Sequence, residues 1–108
     1  MAKKIEKSAD YESFLVEELK DSKFAVAYLN EALDETDEGS EERFLIALRH
    51  VAQAHGMTAV SVRAGMARQA MYRALSPDGN PELHSLRAVL SALGLRLSVQ
   101  AKRRSRAS

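Results

Sequence analysis

Arg68, Gln69, Tyr72 and Arg73 fall within six residues of one another, and no carboxylate occurs anywhere from Ala64 to Pro77. These side chains suit the recognition of base edges: a guanidinium forks onto guanine, and a carboxamide pairs in the same way with adenine. Arg63, which precedes this group, is expected to meet phosphate rather than bases. Bond-making chemistry has no comparable cluster. His50 and His55 are five positions apart, whereas two ligands on one helix face need a spacing of three or four, so they do not make a zinc pair, and His84 stands alone. Ser, His and Asp are present without a nucleophile elbow, a phosphate loop or a dinucleotide fingerprint. The expectation is a protein that is not an enzyme and uses no metal or cofactor.

Recognition side chains need a scaffold that presents them. Residues 58–75 place Gly65 between two short helical patterns, the layout of a helix-turn-helix that reads DNA. Glycine suits the turn because it enters positive φ with little strain. Thr58 is the expected cap of the first helix, with Val60 and Ala64 facing inward. The second spans about 68–75, with Met71 and Leu75 buried. Met57, Met66 and Met71 read as fillers of the core.

Around this pair the pattern is helical nearly throughout. Tyr11, Phe14, Leu15 and Leu19 recur at helical spacing behind Asp10, giving a helix over 11–20. Asp21 or Ser22 caps the next, in which Phe24, Tyr28 and Ala32 form one row and Ala25, Leu29 and Leu33 its neighbour. The acidic run from Asp34 to Glu38 opposes the macrodipole at that helix end and stops it. Ser40 followed by Glu41 and Glu42 starts a third helix over 41–55, which buries Phe44, Leu45, Leu48, Val51 and Ala52 before Gly56 ends it. Ser76 to Pro81 is the strongest loop signal, and Asn80-Pro81 reads as cap and first turn of a last helix with Leu83, Leu86, Val89, Leu90 and Leu93 on one face. Beyond Gly94, Leu95, Leu97 and Val99 alternate with polar residues as a short strand. A lone strand leaves its backbone unpaired, so the reading makes it the seam of a homodimer.

Charge is divided unevenly along the chain. Residues 1–56 carry seven Lys/Arg against thirteen Asp/Glu, and residues 57–108 carry nine against two. The basic part suits a polyanion. At 108 residues and 45% hydrophobic content the chain is long enough for one modest core. It has no cysteine, so neither disulfides nor thiolate sites hold it together. The start lacks the apolar segment of a secretory signal, and no stretch approaches the length of a membrane span, which gives a cytoplasmic expectation. The expected division is a mobile start over 1–9, a helical segment over 10–38, a DNA-binding unit over 40–100 ending in the dimer strand, and a disordered basic tail over 101–108. In that tail Lys102, Arg103, Arg104 and Arg106 add affinity for phosphate without specificity.

Three stretches together resemble a known family: Tyr28-Leu29-Asn30-Glu31-Ala32-Leu33, Phe44 to Ala52, and Tyr72-Arg73-Ala74-Leu75-Ser76-Pro77 with Gly79-Asn80-Pro81. The chain is similar over about 10–99 to addiction-module antidote proteins of the Xre, HigA-like helix-turn-helix class. The resemblance implies an all-α, λ-repressor-like bundle, here with two extra N-terminal helices and the short C-terminal strand. It also implies an antitoxin that neutralises a RelE/HigB-like toxin and, as a dimer, represses their shared promoter. The sequence departs from the general helix-turn-helix pattern at Ser61, where a small alanine is usual, and at Ala67, where a capping hydroxyl is usual.

A stand-alone Xre-type regulator without a toxin is the alternative reading. For the antitoxin, the segment 10–38 is the expected toxin-contacting part, because it sets ten acids against two lysines and carries aromatic residues beyond the needs of the DNA-binding core. Tyr11, Phe14, Tyr28 and Leu29 are its candidate anchors.

Overall fold

A computed structural model describes residues 9–34 and 38–102. Six helices follow in chain order: α1 (Ala9–Leu19), α2 (Ser22–Asp34), α3 (Ser40–His55), α4 (Met57–Ala64), α5 (Arg68–Ala74) and α6 (Leu83–Ala92). The architecture is an all-α bundle organised on α3, which packs against α1, α2 and α4, while α4 in turn packs against α5 and α6. The choice of α3 as the hub follows from its sequence. It has the most apolar positions at helical spacing, and Leu48, Val51 and Ala52 are completely buried at its centre. Leu19, Leu29, Val60, Met71, Val89 and Leu90 from the other helices and Leu75 just past α5 close around it, so one core serves the whole bundle.

The ends of the helices show where local signals held and where others overrode them. Asp21 caps α2, its carboxylate accepting the Lys23 N–H at 3.2 Å while its carbonyl accepts the Ala25 N–H at 2.9 Å. Ser40 does not cap α3: it is the first helical residue, and Gly39 holds the cap position without a side-chain bond. Thr58 likewise lies inside the first turn of α4. The physical reason is Gly56, whose φ of 98° lets one residue end α3 and begin α4, with its N–H given to the Gln53 carbonyl and its own carbonyl accepting from Val60. No linker is left for Thr58 to occupy. Asn80 and Pro81 precede α6 rather than starting it; the chain stays extended through Glu82, which takes the cap position at ψ 158°. Leu83 consequently falls off the buried stripe and is 64% exposed, while Val89, Leu90 and Leu93 are buried as expected.

The strand expected over 95–100 is not formed, and among the described residues no strand occurs at all. A strand is defined by its ladder, and a single chain offers this segment no partner. Instead α6 ends in a Schellman turn, in which the Leu95 N–H donates to the Leu90 carbonyl at 2.8 Å and the Gly94 N–H to that of Ser91 at 2.9 Å. Leu95 packs against the core; from Leu97 onward the segment is exposed.

Candidate nucleic-acid interface

The connection from α4 to α5 is built on Gly65, which adopts φ 70° and ψ 29°. Its N–H donates to the Val62 carbonyl at 3.1 Å, and the next N–H, from Met66, reaches back to that of Ser61 at 3.0 Å. This pair of bonds ends α4 in a left-handed turn that only glycine enters cheaply. Ser61, one of the two departures from the general helix-turn-helix pattern, is 96% buried, and it satisfies its hydroxyl by donating to the Thr58 carbonyl at 2.9 Å. Ala67, the other, leaves the start of α5 without a side-chain cap.

A helix of seven residues has little stability of its own. Two fully buried side chains, Met71 within it and Leu75 just beyond, fasten α5 to the core. That anchoring fixes which residues face out: Arg68, Gln69 and Arg73 are exposed, and Tyr72 is half-buried. The loop that follows is held just as closely. Ser76 Oγ lies 3.0 Å from the Arg73 carbonyl oxygen and 2.9 Å from Asp78 Oδ1, and the Gly79 N–H donates to the Ser76 carbonyl at 2.8 Å. A Cβ at Gly79 would collide with the carbonyl oxygens of Arg73 and Ala74.

The remaining residues singled out from the sequence are spread around the molecule. Arg63 Nη1 donates to the Ala92 carbonyl at 2.9 Å, so this arginine stitches α4 to the C-terminal end of α6, where a cation complements the helix dipole. Lys102 is exposed at the end of the described chain. Arg103, Arg104 and Arg106 lie outside the described residues. Arg49, on α3, went unnoticed in the sequence, yet its guanidinium carbon stands 5.3 Å from the Tyr72 ring centroid, beside Arg68 at 5.6 Å. Its position within the apolar run of α3 gave no sign of this; only the fold brings residues 49 and 72 together.

The N-terminal aromatic residues divide in two. Tyr11 and Phe14 of α1 are exposed, Phe14 by 59%, whereas Leu29 is buried in the core and offers no surface. Tyr28 lies between these extremes. It stacks on Phe24 with centroids 6.3 Å apart, and its hydroxyl is 2.7 Å from His50 Nδ1, tying α2 to α3. Burial, with a smaller contribution from Tyr11, pushes its pKa above the ordinary 10.0. Leu33, which the sequence places in an apolar row with Ala25 and Leu29, is 51% exposed, and Val26, which stood in neither row, is 43% exposed. They border a groove of about 440 Å³ between α2 and the C-terminal segment, with Leu97 on its far side. Of the expected dimer residues, Leu95 turns toward its own core, Leu97 is 39% exposed and Val99 is 98% exposed.

Among the described residues no group of three or more His, Cys, Asp or Glu side chains gathers as a metal site, and no helix is long and apolar enough to cross a membrane. Residues 10–101 match the family described as "probable addiction module antidote protein". The chain belongs to this antidote family. The match runs from α1 through α6 and leaves out only the two termini, so the helical pair at the start belongs to the antidote pattern as much as α4 and α5 do. An uncharacterized protein of Haemophilus influenzae is 40% identical to the antidote over 76 residues, which cover 70% of this chain and 75% of its own. No solved structure matches.

Proposed function

We propose that this antidote is the antitoxin of a type II toxin-antitoxin module and a transcriptional repressor that binds duplex DNA through α5. The observation that carries the DNA-binding reading is the α4–turn–α5 unit. A left-handed glycine joins two short helices, the second is fastened by Met71 and Leu75, and its outward face offers Arg68, Gln69 and Arg73 beside Tyr72. With no carboxylate from Ala64 to Pro77, nothing on this face repels phosphate. In the helix-turn-helix arrangement such a helix enters the major groove, where Arg68 and Gln69, in its first turn, come within reach of base edges. A homodimer through the segment 95–100 would set two such helices about one turn of DNA apart.

Membership of an antidote family implies a toxin as partner. A RelE/HigB-like toxin, basic because it must hold RNA, suits the acidic segment 10–38, and the exposed Tyr11 and Phe14 are the anchors that the fold leaves available there. A cytoplasmic location follows from this role. The test is twofold. The protein should retard the duplex upstream of its own gene and not a scrambled one, and when expressed with its flanking genes it should co-purify with a small basic protein whose toxicity it suppresses. Retardation of both duplexes alike would remove the sequence-specific part, and the absence of any co-purifying toxin would leave a repressor alone.

A further inference from the structure

Tyr72 is flanked by two guanidinium groups that come from different helices, Arg49 on α3 at 5.3 Å and Arg68 on α5 at 5.6 Å from the ring centroid. Those distances cap the separation of the two cations at about 11 Å, close to the Debye length of about 10 Å at 0.1 M salt, so their repulsion is only partly screened. One guanidinium on the ring would suffice to clasp α5 to α3. The second adds repulsion, and among the described residues neither arginine forms an ion pair or a hydrogen bond that would offset it. Each guanidinium therefore keeps five N–H donors that no carboxylate among the described residues accepts. The group that best fits an unpaired guanidinium fork is a phosphate.

We propose that Arg49, held against the Tyr72 ring, is a backbone-phosphate contact on the strand beside the groove that α5 enters. This rests on the DNA-binding reading of α5. Arg49 lies outside the α4–turn–α5 unit and is half-buried, with its guanidinium against the Tyr72 ring, so it sits beside the helix proposed to enter the groove and not on it. Its contribution is affinity and register, not sequence discrimination.

The test compares wild type, Arg49→Ala and Arg49→Lys by fluorescence anisotropy on the duplex upstream of the protein's own gene and on a random duplex, between 50 and 200 mM salt. Thermal unfolding of each variant checks that it is folded, and Arg49→Gln replaces the alanine variant if that one melts early. Arg49→Ala should weaken both duplexes by the same factor, leave their ratio unchanged, and reduce the slope of log affinity against log salt by about 0.9, one phosphate's worth. Arg49→Lys should restore the slope. An unchanged slope in a protein that still binds DNA overturns the phosphate contact of Arg49 and leaves the reading of α5 standing, as does a changed ratio, which would mean that Arg49 orients α5. A wild type that binds neither duplex overturns both.

Discussion

Replacing Gly65 by alanine isolates the cost of the turn that sets α5 against α4. At φ 70° and ψ 29° the residue is left-handed, yet a Cβ placed there meets nothing within 4 Å, so the penalty is conformational and not steric. An L-residue in this region is disfavoured by about 1–2 kcal/mol. Against this, alanine restricts the unfolded chain and recovers about 0.4–1 kcal/mol. The net loss is about 1 kcal/mol, which for a domain of this size lowers Tm by about 4–5 °C. Asparagine tolerates the left-handed region, so Gly65→Asn should lose less than Gly65→Ala. Gly79→Ala makes the contrast: its Cβ would be driven into the carbonyl oxygens of Arg73 and Ala74, backbone atoms that cannot swing aside. It should cost more than either. Thermal unfolding followed by circular dichroism gives all three values. A Gly65→Ala protein that melts with wild type, or a Gly79→Ala protein that is the more stable of the two, would show that these glycines are not held by conformation and contact as described.

Met71→Ala should lower stability by about 2–5 kcal/mol in denaturant titration, because Met71 is fully buried and is one of two side chains that fasten α5. A loss under 1 kcal/mol would show that α5 is held by something else. Tyr28→Phe removes the hydroxyl bonded to His50 Nδ1 and should cost about 0.5–1.5 kcal/mol near neutral pH. The raised pKa of Tyr28 means that the fold favours the neutral phenol: this stabilisation is complete below pH 10 and fades as pH rises through the folded-state value. Wild type should therefore lose stability above pH 10 more steeply than Tyr28→Phe, and parallel curves would contradict this. Leu97→Asp, at a position 39% exposed, should yield a folded monomer by sedimentation if the segment 95–100 is the dimer seam; a dimer persisting at micromolar concentration would place the interface elsewhere.

Most of the fold was legible because helical periodicity is a local property. Phe44, Leu45, Leu48, Val51 and Ala52 needed only their spacing to declare α3, and Gly65 its position between two short patterns to mark the turn. What failed depended on neighbours in space or on the geometry of a single residue. Thr58 and Ser40 are good caps by type, but Gly56 and Gly39 took the cap positions. Leu29 and Phe14 look alike as apolar residues on N-terminal helices, and only the packing of α1 and α2 on α3 buries one and exposes the other. The alternation of Leu95, Leu97 and Val99 is a genuine strand pattern, yet a strand requires a ladder that one chain does not supply. In the candidate site, the exposed side chains of α5 followed from sequence, whereas Arg49 and the tie from Arg63 to Ala92 span 23 and 29 residues and left no local trace.

Whether α5 reads DNA sequence is decided by competition binding of Arg68→Ala and Gln69→Ala against cognate and random duplexes at one fixed salt concentration. Each substitution should weaken the cognate complex by about 1–3 kcal/mol while leaving binding to random DNA nearly unchanged. Equal losses on both duplexes would reduce these side chains to phosphate contacts and contradict the account.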